Sequence, residues 1–285
     1  MNKIFNILNY ISKMSLSRFN ITCFKRENKK EGKIIRKLGE GSKGNVYLLE
    51  NSNGYFVRKI SISEHSMDNI ENEYKVLTVL KDVANIPNVY RRITNLNRIS
   101  IDFEYIEGYK SVDKIYTYLG YEEIKDIIRK VSNVIKQSHD KGIVHRDIKM
   151  ENIIYNFTSK NVYVIDWDCS YNINSSDNKI KQYGTIIFNP PEMFDEKYED
   201  YRKIDVWQIG AMFFDMISKG KYDLFDSNLH VPATRDGKLM KNIMHCNWNR
   251  KHLKYKNLEF LFELIFKPEN ERISLDELIK ELNNI

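Results

Sequence analysis

Three stretches of this 285-residue chain hold residue types suited to charge and phosphate chemistry. The first is Gly39-Glu40-Gly41-Ser42-Lys43-Gly44-Asn45-Val46. Glycines let a hairpin backbone close over phosphates without a side-chain clash. The stretch lies between two predicted strands, not between a strand and a helix, which argues against a dinucleotide-binding fold. Taken alone, it reads equally well as an ordinary glycine-rich turn. The second is Lys59, thirteen residues beyond Val46 on the third predicted strand. A lysine pointing inward from a half-buried strand needs an anionic partner. Glu73 on the following helix can supply one; a solvated strand lysine is the plainer alternative. The third is the strongest signal, His145-Arg146-Asp147-Ile148-Lys149-Met150-Glu151-Asn152, with Asp166 fourteen residues further on in Val164-Ile165-Asp166-Trp167-Asp168. Gly184-Thr185, Pro190-Pro191-Glu192, Asp205-Val206-Trp207-Gln208-Ile209-Gly210 and Glu271-Arg272-Ile273-Ser274 follow in that order.

The elements that must position these residues change character along the chain. Strands are predicted at Lys33–Leu38, Asn45–Glu50, Tyr55–Ile60, Asn88–Ile93 and Arg98–Tyr105. Asn53-Gly54 is a strong two-residue hairpin signal, because both residues tolerate positive φ. One helix, Ser66–Leu80, interrupts this antiparallel run. After it, Ile124, Ile127, Ile128, Val131, Val134, Ile135 and Ser138 trace one helical face, and Gly142 is a plausible stop. Short strands fit Ile153–Asn156 and Val162–Asp166, and helices fit Val206–Ser218, Leu258–Phe266 and Ser274–Asn283. The last opens with Ser274-x-x-Glu277, a capping box.

The ordered set resembles the eukaryotic protein-kinase family, and the resemblance spans about residues 34–282. It implies an α+β, two-lobed fold: a small lobe (33–107) with an antiparallel sheet and one helix, and a larger, mainly helical lobe (108–285). It implies ATP as phosphoryl donor and Mg²⁺ as the metal, with Mn²⁺ as the alternative hard cation. By the resemblance, Gly39, Gly41 and Gly44 cover the phosphates, and Lys59, paired with Glu73, holds the α- and β-phosphates. Val46, Val57 and Ile154 sandwich the adenine, Glu104 and Ile106 sit where the hinge pairs with it, and Phe103, which precedes them, closes the pocket behind the adenine. Asp147 orients the substrate hydroxyl, Lys149 neutralises the transferring group, and Asn152 and Asp166 bind the metal. Asp205 braces the catalytic loop, His145 belongs to that loop's scaffold, and Glu192 and Arg272 form a buried ion pair. Lys149 and Gly184-Thr185 resemble serine/threonine kinases, which implies transfer to serine or threonine hydroxyls of a protein substrate. Arg146 is of a type that pairs with a phosphate on the activation segment, with Ser175, Ser176 and Tyr183 as candidate acceptors; plain polar loop residues are the alternative.

The sequence departs from the family pattern at Asp166-Trp167-Asp168, where Asp-Phe-Gly is usual. Trp167 keeps a large apolar anchor. Asp168 is expected to restrict the backbone and to add charge beside the metal site. It lends support to a runner-up reading, a pseudokinase or scaffold module with little turnover, which the intact Lys59, Glu73, Asp147, Asn152 and Asp166 oppose. A small-molecule kinase is a third reading, opposed by the peptide platform that Gly184-Thr185, Glu192 and Arg272 imply. Lys110 stands near where arginine-directed kinases carry an acid, which disfavours a basic substrate motif.

Composition narrows the rest. The net charge is +6, and residues 1–33 carry eight basic residues against two acidic ones, leaving the remainder formally neutral. A nucleic-acid-binding domain usually shows its basic excess in the body, so no nucleic-acid partner is expected. No run of about 18 apolar residues appears, so no transmembrane segment is expected. The three cysteines form no CxxC pair, which disfavours a zinc site or disulfide framework and suits a reducing compartment, cytoplasm or nucleus. The compact body and abundant Asn, Ile and Lys would suit a large DNA virus or intracellular parasite, acting in its host cell. Residues 1–32 read as a basic amphipathic extension, with Ile4, Leu8 and Ile11 on one face. A docked helix, a weak membrane-surface or targeting helix and an unstructured leader all remain open for it. Oligomeric state is not legible.

Overall fold

The structure, a computed structural model, describes residues 32–95, 97–175, 184–195, 198–228, 232–233 and 236–285. The N-terminal extension up to residue 31 and the candidate acceptors Ser176 and Tyr183 lie outside them.

Five strands form one antiparallel sheet: β1 (Lys33–Glu40), β2 (Gly44–Asn51), β3 (Gly54–Ser61), β4 (Val89–Asn95) and β5 (Arg98–Glu104), in the spatial order β1-β2-β3-β5-β4. The β2–β3 hairpin differs from expectation by one residue. Asn51 pairs with Gly54, so the loop is Ser52-Asn53, and Gly54 alone takes positive φ (111°). The Asn51 Oδ1 accepts from the Asn53 amide at 2.8 Å, a side-chain turn that does part of the work expected of the backbone. Helix α1 (Glu64–Val79) begins at a Ser63–Ser66 capping box and lays Ile70 against Ile99 and Ile101 of β5. The packing fixes which face of the helix looks inward, and Glu73, one turn beyond Ile70, is buried with it.

Beyond β5 the chain becomes mainly helical. Short strands β6 (Lys110–Ser111), β7 (Ile143–Val144), β8 (Ile153–Tyr155), β9 (Val162–Val164) and β10 (Tyr171–Asn172) pair as β6-β8-β9 and β7-β10. The helices are α2 (Tyr121–Asp140), α3 (Glu192–Asp195), α4 (Arg202–Ser218), α5 (Gly237–Met244), α6 (Glu259–Ile265) and α7 (Leu275–Asn284). The face of α2 traced from the sequence is buried throughout, and Gly142, just past its end, has φ +77°. Helix α4 is buried on nearly all sides and forms the axis of this lobe. The capping box of α7 is present: the Glu277 amide donates to Ser274 Oγ at 3.3 Å, and the Ser274 amide donates to the Glu277 carboxylate at 2.8 Å. Strand β9 ends at Val164, so Asp166 lies on the connection beyond it and not on the strand as expected. The two lobes and their contents are those the resemblance implies. Among the described residues, no helix is long and apolar enough to cross a membrane.

Candidate active site

Lys59 sits on β3 opposite Val46 on one side and Ile101 on the other. That register turns its side chain inward, toward α1. Its ammonium donates to Glu73 Oε2 at 2.7 Å, Asp166 Oδ1 at 2.6 Å and Asp168 Oδ2 at 2.9 Å. Oxygens of the three carboxylates lie within 4.8 Å of one another. Burial alone would lower the Lys59 pKa. Asp166, Glu73 and Asp168 together outweigh it and hold the pKa well above the usual lysine value, so Lys59 is charged. Burial pushes the Glu73 carboxyl up against the pull of Lys59, with Asp166 and Asp168 adding to the rise. For Asp168, burial is overcome by Lys59 and Lys43, and its carboxyl lies below the usual range.

The segment holding Asp166 is anchored from three directions. Asp166 takes φ +63°, whereas Asp168 does not need a left-handed backbone. The restriction expected from replacing glycine at 168 is therefore absent, and the strain falls two residues earlier. The Trp167 amide donates to Glu73 Oε1 at 3.2 Å, and its indole donates to the Val164 carbonyl at 3.1 Å. The ring is fully buried and lies 4.5 Å from the His145 ring. Trp167 is thus the apolar anchor expected. From α1, Asn72 Nδ2 donates to the carbonyls of Asp168 (3.3 Å) and Ser170 (2.8 Å).

A second cluster surrounds Asp147. Lys149 Nζ donates to Asp147 Oδ2 at 2.8 Å and to Thr185 Oγ1 at 3.0 Å. The Thr185 hydroxyl reaches Asp147 Oδ1 at 3.2 Å. Asn152 Nδ2 donates to the Asp147 carbonyl at 2.8 Å, which commits the amide nitrogen and leaves its oxygen as the ligand-capable atom. The Asn152 carbonyl accepts from the Ile165 amide at 2.9 Å, tying this loop to the Asp166 segment. The loop is held from below by α4. Asp205 accepts from the His145 amide at 2.9 Å and the Arg146 amide at 2.8 Å, and the His139 ring lies 2.8 Å from it. Gln208 donates to the Arg146 carbonyl at 3.0 Å and accepts from the Ile148 amide at 2.9 Å. These bonds sustain the φ of +65° at Arg146, a costly conformation for a side-chain-bearing residue. The Arg146 guanidinium donates to the Cys169 carbonyl at 2.9 Å.

The expected residues thus fall into groups. Lys59, Glu73 and Asp166 meet directly; Asp147, Lys149 and Asn152 form the adjoining cluster. Gly39 is the last but one residue of β1 and Gly44 the first of β2, on either side of the turn that carries Gly41. At Gly44 a Cβ would meet the Ile60 carbonyl at 2.9 Å, so the fold itself demands glycine there. Val46, Val57 and Ile154 lie on β2, β3 and β8, and Glu104 and Ile106 lie at and just beyond the end of β5. The Asn152 oxygen and the Asp166 carboxylate, the latter about two-fifths exposed, are hard donors that fit Mg²⁺ or Mn²⁺. Sequence reasoning missed Gln208, whose spacing of three from Asp205 was its one signal. It also missed Lys43, whose ammonium donates to Asp168 Oδ1 at 2.7 Å and Cys169 Sγ at 2.6 Å. Burial pushes the Cys169 thiol up to about 12, so Cys169 is the buried, inert type of thiol.

The protein kinase domain family matches residues 33–282. The chain is 26% identical over 272 residues to calcium-dependent protein kinase 5 of Plasmodium berghei, covering 86% of this chain and 48% of that protein. It is 25% identical over 244 residues to Aurora kinase of Saccharomyces cerevisiae, covering 81% and 66%. The chain spans about half the length of the calcium-dependent kinases it matches. The solved structure of the Cydia pomonella granulovirus kinase PK-1 shares the fold, with a TM-score of 0.71 at 23% identity over 88% of this chain and 94% of that one.

Proposed function

This chain belongs to the protein kinase domain family, and from that premise we propose that it transfers the γ-phosphoryl group of ATP to serine or threonine hydroxyls of proteins. The observation that carries the reading is the triangle of Asp147, Lys149 and Thr185 beside the Lys59–Glu73 pair. Asp147 offers a carboxylate oxygen to orient an incoming hydroxyl. Lys149, held within hydrogen-bonding distance of that carboxylate, faces the negative charge that builds in transfer. Lys59, kept charged and aimed by Glu73, takes the α- and β-phosphates. Asn152 and Asp166 hold Mg²⁺ or Mn²⁺, which when bound supplies further charge neutralisation at the phosphates. A Cβ at Gly39 would meet nothing within 4 Å, and at Gly41 only the Gly44 carbonyl at 3.7 Å. Those two glycines are therefore explained by what must approach the turn from outside, and Gly39, Gly41 and Gly44 cover the phosphates. Val46, Val57 and Ile154 contact the adenine, with the backbone of Glu104 and Ile106 pairing along its edge. Phosphoryl transfer asks for positioning and charge stabilisation, which this set supplies.

Asp168 favours the second reading, a module of the same fold with little turnover, because it takes one of the contacts of Lys59. Three cysteines without CxxC spacing support a cytoplasmic or nuclear setting. Transfer of labelled γ-phosphate to casein or myelin basic protein, with Mg²⁺ and Mn²⁺ tried separately, decides between the readings. Label on serine or threonine that disappears in Asp147→Asn is the expected outcome. ATP binding without transfer above that variant would establish the second reading instead.

A further inference from the structure

Lys43 and Asp168 are 125 positions apart in the chain, yet they are joined side chain to side chain at 2.7 Å. Lys43 lies in the glycine-rich turn between β1 and β2; Asp168 follows the metal-binding segment of the other lobe. The two are not equally adjustable. Asp168 is buried, its carbonyl accepts from Asn72 of α1, and its second carboxylate oxygen is bound by Lys59. Lys43 sits on a turn and reaches its partner through a four-carbon stem. Asp168 is the fixed member, and Lys43 comes to it.

The local charge shows what the pair achieves. Glu73 and Asp166 against Lys59 leave the pocket one negative charge in excess. Asp168 would double that excess, in a place meant to admit the phosphates of ATP. Lys43 cancels the addition. An unopposed carboxylate there would repel a polyphosphate across a few ångströms of partly dry space, where screening is weak.

Resting on the kinase reading above, we propose that Lys43 is a charge-compensating residue of the nucleotide site and Asp168 the group it compensates. Lys43 reaches from the glycine-rich turn to neutralise the charge that Asp168 brings to the phosphate site. The two residues therefore function as a unit. An aspartate at 168 is tolerated because the turn carries a lysine at 43.

The test is a double-mutant cycle on ATP affinity, measured by calorimetric titration with Mg²⁺ on the full chain. Lys43→Met should weaken ATP binding by about tenfold or more, since it strands a carboxylate beside the phosphates. Lys43→Met combined with Asp168→Asn should return the affinity to within about threefold of the parent, because the charge to be cancelled is gone. A simple loss of packing would not be rescued by a substitution at the other end of the bridge. If the double variant binds as weakly as Lys43→Met, or if Lys43→Met binds as well as the parent, the proposal fails while the kinase reading stands. If the parent chain itself binds no ATP, the kinase reading fails and takes this inference with it. Thermal melting of each variant checks folding, and Lys43→Gln with Asp168→Gly serves as the second cycle should either first variant not fold.

Discussion

Glu192 and Arg272 form a buried two-pronged ion pair, Nη1 to Oε1 at 2.5 Å and Nη2 to Oε2 at 2.9 Å, across 80 positions of the chain. The guanidinium also donates to the carbonyls of Lys203 (2.9 Å) and Lys267 (3.0 Å) and lies over the Trp207 ring at 4.8 Å. Every side of the arginine is occupied, so the pair pins the α3 region to the loop before α7. Arg272→Ala leaves the Glu192 carboxylate buried without its partner and is expected to cost about 3–5 kcal/mol. Arg272→Lys is expected to recover little, because an ammonium cannot match the fork. Urea unfolding measures both. A loss below about 1 kcal/mol for the alanine variant would mean that water replaces the guanidinium freely.

Thr185 bridges Lys149 and Asp147 with one hydroxyl. On the proposed roles it sets the angle at which Lys149 faces the transferring group, and its bonds run to Lys149 and Asp147, not to β1–β3. Thr185→Ala is expected to lower kcat by about tenfold while leaving KM for ATP within about twofold. Thr185→Ser keeps the hydroxyl and should keep most of the rate. Steady-state kinetics over both substrates separate the effects. An unchanged kcat with a raised KM for ATP would remove Thr185 from the chemistry.

Trp167 stands where the family usually has phenylalanine, and the structure gives its indole a use. The ring fills a fully buried site against His145, and Nε1–H bonds the Val164 carbonyl at 3.1 Å. Trp167→Phe should keep most of the packing and cost about 1–2 kcal/mol. Trp167→Ala opens a cavity beneath Asp166 and should cost about 3–5 kcal/mol. Equal midpoints for the two variants in chemical denaturation would show that the indole N–H, not the ring, carries the contribution.

Legibility in the sequence followed the range of the interactions involved. The catalytic-loop residues Asp147, Lys149 and Asn152 were readable because the loop supplies them at short fixed spacing. Lys59 and Glu73 were readable because a strand and the next helix bring them together. Helices α3 and α5 were not. Four and eight residues show too little periodicity to separate a helix from a loop. The β2–β3 turn was found but misplaced by one residue, because Asn51 side-chain capping is not visible in a two-residue signal. Asp168 was noticed as a departure, but its effect was assigned to the backbone as well as to charge. The backbone there takes no positive φ, the carboxylate is paired with Lys59 and Lys43, and Lys43 can be identified as a partner only once the two lobes face each other.

Asp215, half-buried on α4, provides a test of the electrostatics away from the active site. Burial first, then the neighbouring carboxylates Asp223 and Glu151, push its pKa up to about 7 from an ordinary 3.8. Between about pH 4 and 7 the folded chain keeps a proton there that the unfolded chain has already lost. The Asp215 contribution to stability is therefore intact below about pH 4, falls as pH rises across that window and is flat above it. Asp215→Asn removes the ionisation while preserving shape. It should match the parent near pH 4 and exceed its stability at pH 8 by up to about 4 kcal/mol, since a difference of one in pKa between folded and unfolded chain corresponds to about 1.4 kcal/mol and the partial exposure of the group lowers the total. Other groups titrate over the same range, so the quantity to read is the difference between variant and parent in paired denaturant titrations. A difference that stays constant from pH 4 to 8 would show that Asp215 ionises normally and is well solvated in the folded chain.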